Sequence, residues 1–186
     1  MNSVRLCIAA LVLSVLSGCA YTTKSSLDPK YQTICVSAFY DKTRNYGLQA
    51  PLTDAIIRKF ITDTRLKVVK ESEADLKIEG VILDYKLKGL TYDGKDQVTQ
   101  YLMMITAGVR LTDLKEEKVL WEDHVMSGET TYYTREAGQS SDRLRGNAET
   151  FLPTVRSFPT EEENHAASEA LEQLASDIFY RTVEPW

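Results

Sequence analysis

Segments in which apolar and polar residues alternate dominate this 186-residue chain. Alternation of this kind is typical of β-strands with one buried face. It predicts three consecutive long strands, over residues 74–87, 101–111 and 119–126. The turn residues Asp93-Gly94 and the charged residues 113–118 separate these strands, so we expect an antiparallel meander. In the first strand the alternation changes phase around Gly80, which predicts a β-bulge or a bend.

Shorter apolar segments before the meander predict two more strands and a helix. Residues 33–39 have the composition of a buried strand, and residues 66–69 that of a short one. The helix lies between them, begins at Pro51, which suits a first helical turn, and ends near residues 62–64. Its apolar stripe consists of Leu52, Ala55, Ile56 and Phe60.

The last predicted element is a long helix. Thr160 and Glu163 match a capping box, and apolar residues at helical spacing continue to about Val183. Together the elements predict an α+β fold, a two-layer sandwich with the helices on one face of the sheet. Because several strands carry apolar residues on both sides, the other face needs a cover or serves as a partner surface.

The N-terminus has the pattern of a bacterial lipoprotein signal. An apolar run from Leu6 to Leu16 precedes Ser17-Gly18-Cys19, and Leu16 to Cys19 resembles a lipobox. The run is too short to span a membrane, which takes about 20 residues. We therefore predict a signal peptide over residues 1–18 and acylation of Cys19, since two or more acyl chains give stable anchoring. Ala20, in place of an aspartate, favours the outer membrane by analogy with the sorting rule of enteric bacteria.

The remainder divides into a tether and one domain. Residues 19–31 are polar and contain turn formers, which predicts a flexible tether, and residues 32–186 form a single domain. Cys7 leaves with the signal, so Cys35 has no disulfide partner and we expect a buried thiol. The formal net charge of −5 gives no basic footprint for nucleic acid.

No motif points to an enzyme or to a cofactor. The sequence has no nucleophile elbow, no HExxH or CxxC metal motif and no phosphate-binding glycine loop. Its two histidines, His124 and His165, fit surface or core positions better than catalytic ones. We therefore predict a protein that is not an enzyme and that binds neither a cofactor nor a metal.

Four basic residues are candidates for a ligand site. Lys86 and Lys88 flank a leucine in a predicted strand, and Arg143 and Arg145 do so within residues 127–159, a long stretch with no assigned element. Cations interleaved with apolar residues suit an amphiphile with phosphate groups, because the cations bind phosphate and the apolar neighbours hold acyl chains. Lysines on the wet face of a strand also serve solubility alone, so both interpretations stay open.

Several strings, in a fixed order, carry a family resemblance. After the lipobox come ICVSAFYDKT, PLTDAIIRKFITDTRLKVV, ADLKIEGVILDYKL and VLWEDHV, and the last helix ends in RTVEPW. From Leu16 onward the chain resembles the LptE family of lipopolysaccharide-assembly lipoproteins. The resemblance implies an outer-membrane lipoprotein in which two helices pack on one mixed, mostly antiparallel sheet of four strands or slightly more.

The resemblance also implies partners. Members of the family plug the β-barrel LptD, facing the periplasm and the barrel lumen, assist its assembly and help lipopolysaccharide to reach the outer leaflet. Some bind lipopolysaccharide through basic residues, which Lys86, Lys88, Arg143 and Arg145 match by character and rough location. Two other classes stay open: a TolB-amino-domain-like or LpoB-like lipoprotein that activates a periplasmic enzyme, and a periplasmic lipid-binding module without a barrel.

Overall fold

The computed structural model describes residues 27–43, 47–63, 65–134 and 160–184. Within them the chain forms six strands: Thr33–Val36 (β1), Tyr40–Asp41 (β2), Lys67–Val68 (β3), Leu76–Tyr92 (β4), Val98–Asp113 (β5) and Lys118–Tyr133 (β6). The α-helices are Gln49–Asp63 (α1) and Glu161–Val183 (α2), and a 3₁₀ helix spans Glu71–Glu73. Among the described residues, no helix has the length and apolar character that crossing a membrane requires.

The strands form one mixed sheet. Their order is β3-β1-β4-β5-β6, and β2 pairs with β4 as a continuation of β1. β1 runs parallel to β3 and to β4, with α1 as the crossover between β1 and β3. β4, β5 and β6 form the predicted antiparallel meander. The predicted α+β sandwich with two helices on a mixed, mostly antiparallel sheet is therefore confirmed, with more strands than four.

The core lies between the sheet and the two helices, which share one face. α2 packs on β5 and β6 and against α1. The predicted apolar stripe of α1 is buried, as is the free thiol of Cys35. Alternate residues of the central strands meet the helices, as strand geometry requires. The fully buried apolar ones are Leu76, Ile78, Ile82, Met103, Ile105, Ala107 and Leu111.

The phase change in β4 lies later than the sequence predicted. Gly80 keeps the alternation of the buried residues on either side of it, so the prediction of a bulge at this glycine was wrong. The register shifts between Ile82 and Asp84, where Leu83 is the extra residue. At Gly80 the missing side chain makes room for Phe39, whose ring Cδ1 lies 2.9 Å from the position that a Cβ would take.

Two predicted boundaries also differ. The strand predicted over residues 33–39 ends at Val36, because the chain leaves the sheet there and buries Phe39, which is 2% exposed. Of the unassigned stretch 127–159, residues 127–133 continue β6 and pair with β5 as far as Gln100. Residues 135–159 lie outside the described part of the chain.

The N-terminal strap, residues 27–33, packs against the domain. Leu27 and Tyr31 are each 6% exposed and belong to the core cluster. The guanidinium of Arg65 donates to the backbone carbonyls of Leu27, Asp28 and Tyr31, at 3.1, 3.2 and 3.1 Å. The packed domain therefore includes residues from Leu27 onward, within the range predicted as tether.

Candidate functional site on the open face of the sheet

The side of β4, β5 and β6 that points away from the helices is the open face. Paired residues of neighbouring strands place their side chains on the same face, so the register gives its composition row by row. Across β4, β5 and β6 two rows are Lys86, Met104 and Glu129, and Lys88, Leu102 and Thr131. Two further rows are Glu79, Arg110 and Glu122, and Val81 beside Gly108.

Lys86 and Lys88 lie on this face beside apolar side chains. Lys86 is directly opposite Met104, and Lys88 is opposite Leu102. Together these four residues form the cationic–apolar strip. Both lysines are exposed, and both apolar partners are half-buried. Leu87, the residue between the two lysines in sequence, pairs with the buried Met103 on the other face, so the apolar neighbours of the lysines come from β5 instead.

The two lysines differ in their partners. The ammonium group of Lys86 lies 2.5 Å from the carboxylate of Asp84 and lowers the pKa of that carboxyl group. No described residue forms an ion pair with Lys88. Lys86 thus has a carboxylate partner, and Lys88 has none within the part of the chain that the structure describes.

A second feature crosses the open face nearer its middle. The transverse trough has a volume of about 480 Å³ and runs perpendicular to the strands. Val81 and Gly108 form its floor, Tyr40 lies at one end and His124 at the other. Tyr40 is 64% exposed, and the side chain of His124 is 82% exposed.

An ion-pair ladder, Glu79–Arg110–Glu122, forms one wall of the trough. Arg110 donates from Nε and Nη2 to Oε1 of Glu122, at 3.1 and 2.7 Å, and its Nη1 lies 3.7 Å from Glu79. The other oxygen of Glu79 lies 3.4 Å from the ammonium group of Lys77. These contacts neutralise the charges of the wall internally.

The other predicted site residues fall outside the described part of the chain: Cys19, Arg143 and Arg145. Within the described residues, no group of three or more histidine, cysteine, aspartate or glutamate side chains could hold a metal ion.

The sequence did not predict the transverse trough. Its floor and ladder depend on which residues of three strands stand side by side, and two bulges set that register.

Among the solved structures that are similar to this chain, one with a TM-score above 0.5 shows the same fold. A protein from Xanthomonas campestris matches at a TM-score of 0.51 and 11% identity, over 84% of this chain and 88% of its own. A hypothetical protein from Chlamydia trachomatis matches at 0.46 and 13%, over 82% and 93%. A minor lipoprotein from Acinetobacter baumannii matches at 0.45 and 13%, over 82% and 91%. Among curated proteins, none matches the chain.

A family model accounts for most of the chain. The model named LptE, described as lipopolysaccharide-assembly, matches residues 31–182. This range includes all six strands, α1 and nearly all of α2. The match agrees with the resemblance that the sequence strings carried. The protein therefore belongs to the LptE family of lipopolysaccharide-assembly proteins.

Proposed function

We propose that the protein is an outer-membrane lipoprotein that partners and plugs an LptD-type β-barrel. In this role it assists the assembly of the barrel and the insertion of lipopolysaccharide into the outer leaflet. The observation that carries the proposal is the family match over residues 31–182. The open face adds support, since a sheet with apolar side chains on its uncovered side suits a domain that another protein encloses.

The anchor in this proposal is Cys19, acylated after removal of residues 1–18. Palmitate labelling in cells tests it: the wild-type chain should incorporate label, and Cys19→Ala should not. Cys35→Ala is the matched control, because that thiol is buried in the domain. Label that persists in Cys19→Ala would contradict acylation at this site.

The cationic–apolar strip is the proposed contact for lipopolysaccharide, together with Arg143 and Arg145. Each cation near an anionic lipid surface contributes about 1 kcal/mol. Reversing the charge of both Lys86 and Lys88 should therefore weaken binding of purified lipopolysaccharide by more than about tenfold. Lys118→Glu, an exposed position at the other end of the sheet, is the control and should leave binding unchanged.

A second double variant, with Arg143→Glu and Arg145→Glu, separates the two pairs. If only this variant weakens binding, the ligand contacts residues 143–145 and not the strip. If both double variants bind like the wild type, none of the four cations contacts lipopolysaccharide. Both measurements use the full mature chain in detergent, so that the anchor is the same throughout.

Co-purification tests the partnership itself. The tagged full chain, extracted in mild detergent, should retain a large heat-modifiable β-barrel protein, and an unrelated tagged lipoprotein should not. Depletion of the protein should cause misassembly of that barrel and loss of surface lipopolysaccharide. If no such barrel co-purifies and its assembly survives depletion, the proposal fails, and a regulator of a periplasmic enzyme becomes the better account.

A further inference from the structure

A second cavity, the terminal cavity, lies where β6 ends and α2 begins. Its volume is about 290 Å³, and the residues that line it are Tyr132, Tyr133, Glu161, Glu162 and His165. Thr131 belongs to the open face, so alternation directs Tyr132 toward the helix side of the sheet. There its ring stacks on that of Tyr101, with a centroid distance of 5.6 Å. The terminal cavity is therefore separate from the cationic–apolar strip and from the transverse trough.

Tyr132 is a buried tyrosine whose hydroxyl lacks a hydrogen-bond partner. It is 9% exposed, and among the described residues no group donates to its hydroxyl or accepts from it. Buried tyrosines usually pair this hydroxyl, as Tyr31 does with Asp113 and Tyr85 with Glu163. Since an unpaired buried polar group is unfavourable, the hydroxyl of Tyr132 indicates a missing partner.

The terminal cavity gives that partner access. Among the described residues, the side-chain polar atom that is both enclosed and unpaired is Nε1 of Trp121. The hydroxyl of Tyr132 is thus not enclosed, and the cavity that Tyr132 lines provides its opening. Burial, and then the charge of Glu163, raise the pKa of Tyr132 to about 12. The hydroxyl is therefore neutral at pH 7, and its oxygen can accept a hydrogen bond.

Carboxylates set the charge of the terminal cavity. Glu161 and Glu162 line it, Glu163 follows in the same helical turn, and no lysine or arginine belongs to the described residues around it. The helix dipole stabilises these carboxylates, but it supplies only about half a positive charge, so the cavity repels anions. An apolar group would leave the hydroxyl of Tyr132 unpaired. Together the carboxylates and this hydroxyl select a cation that carries hydrogen-bond donors.

The size and the aromatic rings of the terminal cavity favour a guanidinium group. A metal ion is unsuited, since the described residues include no group of three or more potential ligands. The volume of about 290 Å³ lies at the lower end of ligand sites, about 300–1,000 Å³, so one side chain suits it. A guanidinium is planar, stacks on aromatic rings and is more weakly hydrated than an ammonium group. Free arginine also carries a carboxylate, which the cavity would repel.

We propose that the terminal cavity binds the side chain of an arginine from a partner polypeptide, whose guanidinium group donates to the carboxylate of Glu161 and to the hydroxyl oxygen of Tyr132. The inference does not depend on the proposed contact with lipopolysaccharide, because the carboxylates of this cavity repel phosphate groups.

Titration of the full mature chain in detergent with the peptide acetyl-Gly-Arg-Gly-amide tests the proposal. The readout is the imidazole NMR signals of the two histidines: His165 lines the terminal cavity, and His124 lies at the transverse trough and is the internal reference. The peptide should shift the signals of His165 saturably and leave those of His124 unchanged. Peptides with lysine in place of arginine, and free arginine, should bind at least about threefold more weakly, and the glutamine peptide should not bind.

Three variants assign the contacts. Tyr132→Phe keeps the ring and removes the hydroxyl, so it should weaken binding of the arginine peptide at least about fivefold. Glu161→Gln should weaken it at least about threefold, because it removes one opposite charge. Glu184→Gln removes the same charge at an exposed position on the other end of α2, so it is the matched control and should bind like the wild type.

Urea unfolding separates binding from folding. Tyr132→Phe loses no hydrogen bond within the described domain, so its unfolding midpoint should equal or exceed that of the wild type. A lower midpoint would assign the hydroxyl to folding and overturn the proposal. The proposal is also overturned if the arginine peptide leaves His165 unshifted, if the glutamine peptide or free arginine binds equally well, or if Tyr132→Phe binds like the wild type.

Discussion

Two buried carboxylates hold the N-terminal strap on the domain. Asp75 accepts from the backbone N–H of Gln32 and Thr33, at 2.8 and 3.1 Å, and lies 2.5 Å from the ammonium group of Lys115. Lys115 and then these N–H groups hold the pKa of Asp75 well below its usual range. Ionised Asp75 is therefore part of the folded state.

Asp113 shows how opposing effects on a buried carboxyl group combine. It is 1% exposed, and this burial alone would raise its pKa. The backbone N–H groups of Glu116 and Lys115 and the hydroxyl of Tyr31, which donates at 2.8 Å, outweigh burial and lower the pKa. Hydrogen bonds to the charged form thus compensate its desolvation.

Asp75→Asn should lower the free energy of unfolding at pH 7 by about 1–3 kcal/mol, the cost of leaving buried hydrogen-bonding groups unmatched. A lowered folded-state pKa contributes stability above the unfolded pKa, which is about 3.9. That contribution is complete above about pH 5 and is lost as the pH falls toward the folded value. Urea unfolding should therefore show a smaller difference between variant and wild type at pH 3 than at pH 7, and part of the difference should remain at pH 3, because that pH lies below the unfolded pKa and still above the folded one.

Asp96→Asn is the control for this comparison, because Asp96 lies exposed in the β4–β5 turn with a φ of 59°, which asparagine tolerates. Its stability should follow the wild type at both pH values. A constant gap between Asp75→Asn and the wild type from pH 7 to pH 3 would contradict the proposed role of the ionised carboxylate.

The glycines of the sheet give a second prediction at this scale. Gly128→Ala places a methyl group against the carbonyl oxygen of Ala170, so it should lower the free energy of unfolding by about 2–3 kcal/mol. Gly108→Ala has room for its methyl group and should raise it by about 0.5–1 kcal/mol. Urea unfolding of the two variants measures both changes in the free energy of unfolding. Equal changes would show that the two glycines do not differ in the room they leave for a methyl group.

At the scale of elements, the first turn of α2 is held by a hydrogen bond to the sheet. Thr160 accepts from the N–H of Glu163 at 3.2 Å, which is half of the predicted capping box. The carboxylate of Glu163 instead accepts from the hydroxyl of Tyr85 in β4, at 2.5 Å. Burial, and then this carboxylate, raise the pKa of Tyr85, so the hydroxyl stays a donor at neutral pH.

Tyr85→Phe should therefore lower the free energy of unfolding by about 1–2 kcal/mol, since hydrogen bonds to charged groups are stronger than neutral ones. Tyr133→Phe, on an adjacent part of the sheet but 68% exposed, should change it by less than about 0.5 kcal/mol. Thermal and urea unfolding of both variants provide the test. Equal stabilities would mean that the contact with Glu163 does not hold α2 on the sheet.

Elements with a strong local signal were predictable. The stripe of α1 and the Thr160 half of the α2 cap depend on residues within one or two turns and were predictable. The role of Glu163 was not, because its carboxylate accepts from Tyr85 in β4. The bulge after Ile82 was not predictable from the local pattern. Gly80 stays in phase with its buried neighbours, and its missing side chain makes room for Phe39, which is far away in sequence. The trough has the same limitation, since its floor and ladder come from three separate strands.

The cationic–apolar strip was half predictable. Alternation placed Lys86 and Lys88 on one side of a strand, which the structure confirms. Their neighbours Met104 and Leu102 come from β5, and only the register shows that they face the lysines. The two outer edges of the sheet differ in length. β2 and β3 have two residues each, whereas β6 has 16 residues, and Gln173 of α2 accepts from the N–H of Glu129 on that strand.

At the scale of the whole molecule, the strap and the strip lie at opposite ends of the sheet. The strap contacts the β5–β6 turn, where Lys30 forms an ion pair with Glu116 at 2.6 Å. The strip lies toward the β4–β5 turn, about 11 to 13 residues along β4 from Asp75. At about 3.3 Å per residue, the two are separated by about 36–43 Å along the strand. An anchor at the N-terminus would thus hold the strip away from the membrane surface to which it is attached.

The length of the tether follows from where packing begins. If the tether is residues 20–26, it spans at most about 25 Å when extended, whereas a tether to Tyr31 would span about 40 Å. Chains that begin at residue 20 and at residue 27 should therefore unfold at the same urea concentration. A chain that begins at residue 32 loses Leu27 and Tyr31, each 6% exposed, and should be less stable by about 3 kcal/mol or more. Circular dichroism during urea unfolding measures all three, and equal stability of the shortest chain would place the start of the domain after the strap.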